Sequence, residues 1–284
     1  MKIIQVTDLH LVTPGDILCE RDPLKNLQAC IADINENHAD AELVIFTGDL
    51  SDTGHEDSYQ ALAGELEKLI PSYKLLLGNH DNRSAFLRVF DSVTPEDGFV
   101  QSVVDTAQGR LILLDTLSEG FVEGRLDETR QAWLKRRLAE AAGRPVFLFL
   151  HHPPFPIFLP LLDGLGLVES EALHAMLREH GNVRHIFVGH AHRPVAGRSA
   201  VGCPAAAPQA PLSGATATAA VGAEQACAPV AVPALATGVT QKVSAWPASS
   251  ATGVYCRAVA PPMGVLPRFH TKVLAPSGSL LASA

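Results

Sequence analysis

The sequence predicts an α/β fold followed by a low-complexity C-terminal segment. Three observations carry that expectation. Five short apolar runs (residues 3–6, 43–46, 74–77, 146–150 and 185–188) have the length and composition of buried strands. Stretches with helical periodicity separate them. Each run ends in Asp, Asn or His residues of the kind that bind hard metal ions.

The elements follow in order. After the first strand, Asp22-Pro23 opens a helix with Leu24, Leu27, Ile31 and Ile34 on one face. A second helix is expected over residues 56–70, with Leu62, Leu66 and Leu69 inward and Pro71 as its stop. Residues 99–107 and 110–116 are expected to form two strands around Gln108-Gly109. Asp127 starts a helix to about residue 142 that buries Trp133, Leu134 and Leu138. The apolar, proline-rich stretch from Pro153 to Leu167 is expected to be a loop or lid. A helix near 170–180 then leads into the strand ending at Val188.

From Gly197 to Ala284 the composition changes to Ala, Pro, Gly, Ser, Thr and Val, with no Asp and one Glu. Such a segment need not form a packed core. The chain is therefore divided into residues 1–196, an α/β domain, and residues 197–284, a disordered tail or the product of a shifted reading frame near residue 200. Translating the coding DNA in its other two frames tests the second idea.

Residues just past the carboxyl ends of parallel strands share one crevice. The strand-end residues here are Asp8 and His10, Gly48-Asp49, Gly78-Asn79-His80-Asp81, His151-His152, and Gly189-His190-Ala191-His192. Asp8 and His10 are two apart, so extended backbone would place them on one side, and the same holds for His190 and His192. The glycines at 48, 78 and 189 suit close backbone approach to an ion. Singly, each motif has an ordinary reading as a turn, a helix cap or a pair of partly exposed histidines. Jointly they predict a site for two metal ions drawn from Mn, Fe, Zn and Co. Asp49 is the natural bridge. Two such ions roughly 3.5–4 Å apart acidify a water and clamp a phosphoryl group. His80 is the expected catalytic histidine, donating to the leaving oxygen or stabilising developing charge.

In this order the motifs resemble those of the calcineurin-like metallophosphoesterases, and most closely the bacterial class III cyclic-nucleotide phosphodiesterases and related glycerophosphodiesterases. The resemblance covers residues 1–196. It implies a four-layer α/β/β/α sandwich with the metal centre at one edge. It assigns Asp8, His10, Asp49 and His192 to one metal, and Asp49, Asn79, His151 and His190 to the other, with His80 contacting phosphate. It also implies further strands after the last histidine motif, a pattern not found in residues 197–284.

Several histidines have simpler roles. His152 is expected to point away from His151 and support the site. His38, His55, His174, His180 and His185 are read as solvated or structural. Asp115 is a possible acceptor for a metal-bound histidine or a turn residue. Asp81 is expected to orient His80 or cap the next helix.

A formal charge of −8 in 284 residues argues against nucleic acid or an anionic membrane surface as partner. The short Lys135-Arg136-Arg137 run is read as a solvated helix face. Five scattered cysteines (Cys19, Cys30, Cys203, Cys227 and Cys256) without paired spacing suggest reduced thiols and a cytoplasmic setting. The start of the chain is not expected to be a signal peptide, and no apolar run reaches membrane-spanning length. The expected function is hydrolysis of a small phosphodiester, first a 3′,5′-cyclic nucleotide, by a metal-bridging hydroxide. The alternatives are a glycerophosphodiesterase, a metal-dependent phosphomonoesterase, or a silent scaffold of the same fold. A homo-oligomer through the apolar 155–162 segment is a further expectation.

Overall fold

The computed structural model describes residues 1–158 and 160–192, together with strand segments at 195–198, 216–219 and 253–254. Its elements run β1 (Lys2–Val6), α1 (Pro23–Asn37), β2 (Leu43–Thr47), α2 (Glu56–Leu66), β3 (Tyr73–Leu76), α3 (Arg83–Val89), β4 (Ser102–Asp105), β5 (Arg110–Leu113), α4 (Glu128–Glu140), β6 (Val146–Phe149), α5 (Pro160–Asp163), α6 (Ser170–His180), β7 (Val183–Val188), β8 (Val195–Arg198), β9 (Thr216–Ala219) and β10 (Gly253–Val254).

The strands form two sheets, ordered β10-β1-β2-β3 and β4-β5-β6-β7-β9-β8. Strands β1, β2 and β3 are mutually parallel, as are β5, β6 and β7. The pair β4–β5 is the expected antiparallel hairpin.

Side-chain alternation explains why these strands look uniformly apolar. Val44 and Phe46 of β2 face a core with Leu27, Ile31 and Ile34 of α1, Tyr59 and Leu62 of α2, and Phe86 of α3. Leu43 and Ile45 join a second core with Leu111, Leu113, Phe147, Phe149 and Phe187 of the other sheet. On the far side, Val146 and Leu148 of β6 pack with Trp133, Leu134 and Leu138 of α4 and Leu173 and Leu177 of α6. A strand buried on both faces has no position for a polar side chain unless it is hydrogen-bonded. Gln5 of β1 is such an exception. Its amide donates to Thr47 Oγ1 (2.8 Å) and to Val188 O (3.0 Å), tying the two sheets together beside the strand ends.

Three helices start at side-chain caps, those of α1 and α4 as expected and that of α3 one residue past the expected Asp81. Asp22, Asn82 and Asp127 each accept a hydrogen bond from the backbone N–H three residues on. Helix α2 ends at Leu66, short of the expected residue 70. The chain tightens there into bonds from Lys68 N to Glu65 O and from Leu69 N to Leu66 O, and Asn35 accepts from Ile70 N.

The 153–167 stretch contains the short helix α5. It is tied down by Leu167 N to Pro153 O (2.9 Å), and Gly124 N bonds to Gly166 O (3.1 Å). Phe158 stands 88% exposed on it. Apart from the strand segments named above, the expectations for residues 197–284 fall outside the described residues. Among the described residues no helix is long and apolar enough to cross a membrane. Cys30 is a free thiol.

Candidate metal centre

The structure brings all seven predicted ligands and His80 to the carboxyl ends of β1, β2, β3, β6 and β7. Ligand atoms of Asp8, His10, Asp49 and His192 lie within 4.8 Å of one another. His10 Nε2 is 3.0 Å from His192 Nε2 and 3.5 Å from Asp49 Oδ2, and His192 Nε2 is 3.4 Å from Asp8 Oδ1. On the other side of Asp49, His151 Nε2 is 3.2 Å from Asp49 Oδ2, and His190 Nδ1 is 2.9 Å from Asn79 Oδ1.

The expectation that Asp8 and His10 share a side because the backbone is extended is wrong in its reason. Asp8, His10, Asp49, His190 and His192 all have φ between 46° and 67°, in the left-handed region. Each strand ends and the chain turns sharply, so convergence comes from strained turns. Asp and His tolerate that region better than most residues, yet each turn costs on the order of 1 kcal/mol. Surrounding bonds hold the turns in place. Asp8 N donates to Gly48 O (3.0 Å), His10 N to Asp49 O (2.9 Å), and His190 N to Asp8 Oδ1 (2.9 Å).

The glycine positions are equally constrained. A Cβ at Gly78 would sit 2.2 Å from Asp49 Oδ1, and one at Gly189 would sit 2.2 Å from Thr7 Oγ1 and 2.9 Å from His151 Nδ1.

Electrostatics follow from burial and proximity. Burial opposes ionisation of Asp49, but His151, then His10 and His80, hold its carboxyl well below the usual range. Burial likewise works against the His151 imidazolium, yet the Asp49 and Asp8 carboxylates raise its pKa to about 9. His190 is lowered to about 4 by burial and then by His151.

The residues present fit a pair of cations. Asp8 Oδ2, His151 Nε2 and His190 Nε2 are buried and have no hydrogen-bond partner among the described residues. His151 Nε2 is close to Asp49 but outside hydrogen-bond geometry. Orphaned lone pairs of this kind are costly unless something positive binds them. At His151 a cation would displace the proton that the carboxylates now favour.

The comparison with known families decides what this arrangement is. A model of the calcineurin-like phosphoesterase family matches residues 1–194. The chain belongs to that family. It is a metal-dependent phosphoric diester hydrolase, and the family works through a dinuclear metal centre. This phosphoesterase is 41% identical over 202 residues to a probable cyclic nucleotide phosphodiesterase of Rhodopseudomonas palustris, covering 69% of this chain and 73% of the relative. It is 32% identical over 197 residues to a probable glycerophosphodiester phosphodiesterase of Arcobacter nitrofigilis, covering 68% and 72% respectively. Its fold is similar to that of a dimetal phosphatase from Danio rerio (TM-score 0.62, 16% identity, 78% of this chain and 87% of that one).

Several residues of the phosphoesterase site carry roles that its sequence did not suggest. Asp52 accepts from His10 Nδ1 (3.1 Å), and its carbonyl oxygen accepts from His80 Nδ1 (2.7 Å). Its place three residues past Asp49 was the available signal. His80 is 40% exposed at the side chain, and its ring meets that of His10 edge-on at 4.6 Å.

His152 does not point away from His151 as expected: their rings meet edge-on at 4.9 Å, a nitrogen of His152 lies within 4.8 Å of those of His151 and His190, and the ring is held by Thr116 Oγ1 (2.8 Å) and Val122 O (3.1 Å). Asp115 does not touch a candidate ligand. It accepts from Arg83, from Val100 N and from Leu117 N. Asp81 neither orients His80 nor caps α3, which Asn82 caps. Instead it accepts from Leu50 N, Ser51 N, Gly78 N and Tyr59 Oη.

Proposed function

We propose that this phosphodiesterase hydrolyses a small organic phosphodiester, with 3′,5′-cyclic nucleotides as the leading substrate class. The observation that carries the reading is the clustering of Asp8, His10 and His192 with Asp49 on one side, and of His151 with Asp49 and His190 with Asn79 on the other, three of these side chains having orphaned polar atoms. Similarity to a probable cyclic nucleotide phosphodiesterase supports the substrate class. Glycerophosphodiesters are the second reading, supported by the Arcobacter relative.

Asp8, His10, Asp49 and His192 would hold one ion, and Asp49, Asn79, His151 and His190 the other. When bound, the two ions supply Lewis-acid polarisation of a phosphoryl oxygen and acidify a water. The protein's own groups do the rest. Asp52 takes the proton side of His10, which leaves His10 Nε2 as the bare lone pair turned toward Asp49. His80 donates Nδ1–H to Asp52 O, so its Nε2 is the free nitrogen of a ring lying partly in solvent. From there its protonated form donates to phosphate or to the departing alkoxide. The apolar 153–167 loop and the 118–124 loop that bonds to it flank His152 and shield that side from water.

The three cores support a four-layer α/β/β/α arrangement, with residues 1–196 as the catalytic domain and residues 197–284 as an appended segment. Mn, Fe, Zn and Co remain the candidate metals, because carboxylate, amide and imidazole donors suit them.

Hydrolysis of bis(p-nitrophenyl) phosphate beside p-nitrophenyl phosphate, on metal-stripped protein reloaded with manganese, tests the reading. Manganese-dependent preference for the diester is expected. Cyclic AMP, cyclic GMP and glycerophosphodiesters then rank the substrate classes. Preference for the monoester would overturn the diester reading, and faster turnover of glycerophosphodiesters would replace the cyclic-nucleotide assignment.

A further inference from the structure

Tyr59 lies on α2, outside every strand-end motif, and is fully buried. Its hydroxyl is used twice, donating to Asp81 Oδ1 (2.9 Å) and accepting from Asn82 N (2.9 Å). Asp81 takes three more donors. Ser51 N reaches Oδ1 at 2.9 Å, while Leu50 N and Gly78 N reach Oδ2 at 3.1 and 2.8 Å. A carboxylate has about four lone-pair sites, so this one is saturated, with two donors on each oxygen.

The placement of those donors matters. Leu50 and Ser51 directly follow Asp49, and Gly78 directly precedes Asn79. One carboxylate therefore joins the segment carrying Asp49 to the segment carrying Asn79. The two segments are already in contact, since a Cβ on Gly78 would lie 2.5 Å from Asp49 N. Asp81 itself belongs to the second segment. The Tyr59 hydroxyl is the donor to it that comes from a helix, on a ring wedged edge-on against Phe86 at 5.7 Å. Buried groups that orient ligand-bearing segments commonly change metal affinity or activity by about 10–100-fold when lost.

We propose that Tyr59 is a positioning residue of the metal centre: acting through Asp81, its hydroxyl fixes the separation of Asp49 and Asn79. The proposal rests on the metal-centre reading above.

The test uses the full chain, stripped of metal, with manganese titrated in by calorimetry and kcat measured on bis(p-nitrophenyl) phosphate at saturating manganese. Tyr59→Phe keeps the ring and removes the hydroxyl. Manganese affinity at one or both sites should fall about 10–100-fold, with kcat falling as well. The stability control is Leu138→Ala, a cavity in the core under α4, which contains no candidate ligand. It should lose as much Tm or more while keeping wild-type manganese affinity.

Wild-type affinity and kcat in Tyr59→Phe would overturn the proposal and leave the metal centre standing. Wild-type protein that takes up no manganese would overturn both. If Tyr59→Phe does not fold, Asp81→Asn carries the same comparison, because an amide nitrogen cannot accept from two of the four donors. Failure of both variants to fold would also overturn the proposal, since a positioning role leaves the core intact.

Discussion

His151 Nδ1 lies 2.8 Å from the carbonyl oxygen of Thr47, which pins the ring to the end of β2 and turns Nε2 toward Asp49. A backbone carbonyl can only accept, so the proton sits on Nδ1 whenever the ring is neutral. Nε2 is then a lone pair in a buried place. His151→Ala should therefore cost about 100-fold or more in manganese affinity, at the upper end of what loss of a supporting partner costs. Calorimetry on the apoprotein checks this, and unchanged affinity would remove His151 from the ligand set.

Metal removal should destabilise the fold. The site holds Asp8, Asp49 and three buried histidines, and its orphaned atoms gain partners only when a cation enters. Binding at a hundred times Kd stabilises by about 2.7 kcal/mol. For a domain of this size that is about 5–10 °C in Tm. Thermal scans with EDTA and with excess manganese should differ by that amount, and coincident curves would contradict a built metal site.

His80 should separate catalysis from metal binding. It sits at the mouth of the site with Nδ1 held by Asp52 O. His80→Ala should lower kcat about 10²–10⁴-fold while the bound manganese stays at the wild-type stoichiometry. Elemental analysis beside steady-state kinetics reads both quantities.

Gly78→Ala should abolish most activity through geometry alone. The added methyl would meet Asp49 N, a backbone atom, and Asp49 Oδ1, which is buried and held by His80 N. Such overpacking costs about 1–3 kcal/mol of stability, measurable by urea denaturation. Wild-type turnover in this variant would show that the two segments have slack.

Arg83 and Asp115 form a bidentate pair in which Asp115 is fully buried. Removing one member of such a pair costs about 3–5 kcal/mol. Burial already raises the Asp115 pKa, and the Arg83 guanidinium is the first group opposing it. In Arg83→Ala the carboxyl should rise further, so the folded state binds its proton more tightly than the unfolded state does. Stability then falls as pH rises through the shifted value. The deficit against wild type should be largest at neutral pH and shrink toward acid pH, as urea midpoints at several pH values would reveal.

The sequence by itself determined the strand and helix order through β7 apart from the short α5, the seven candidate ligands and the strand ends that carry them. The physical reason is local. A strand buried on both faces must be apolar throughout, so its polar terminus stands out, as at Phe46-Thr47-Gly48-Asp49. Only the tertiary structure decided how those residues converge and what holds them. The left-handed turns at Asp8 and His190 depend on bonds to Gly48 and Asp8 that span 40 and 182 positions. Asp81 and Asp115 could each have been a cap or a turn residue. Their partners Tyr59 and Arg83 lie 22 and 32 positions away, brought there by packing that no local periodicity encodes.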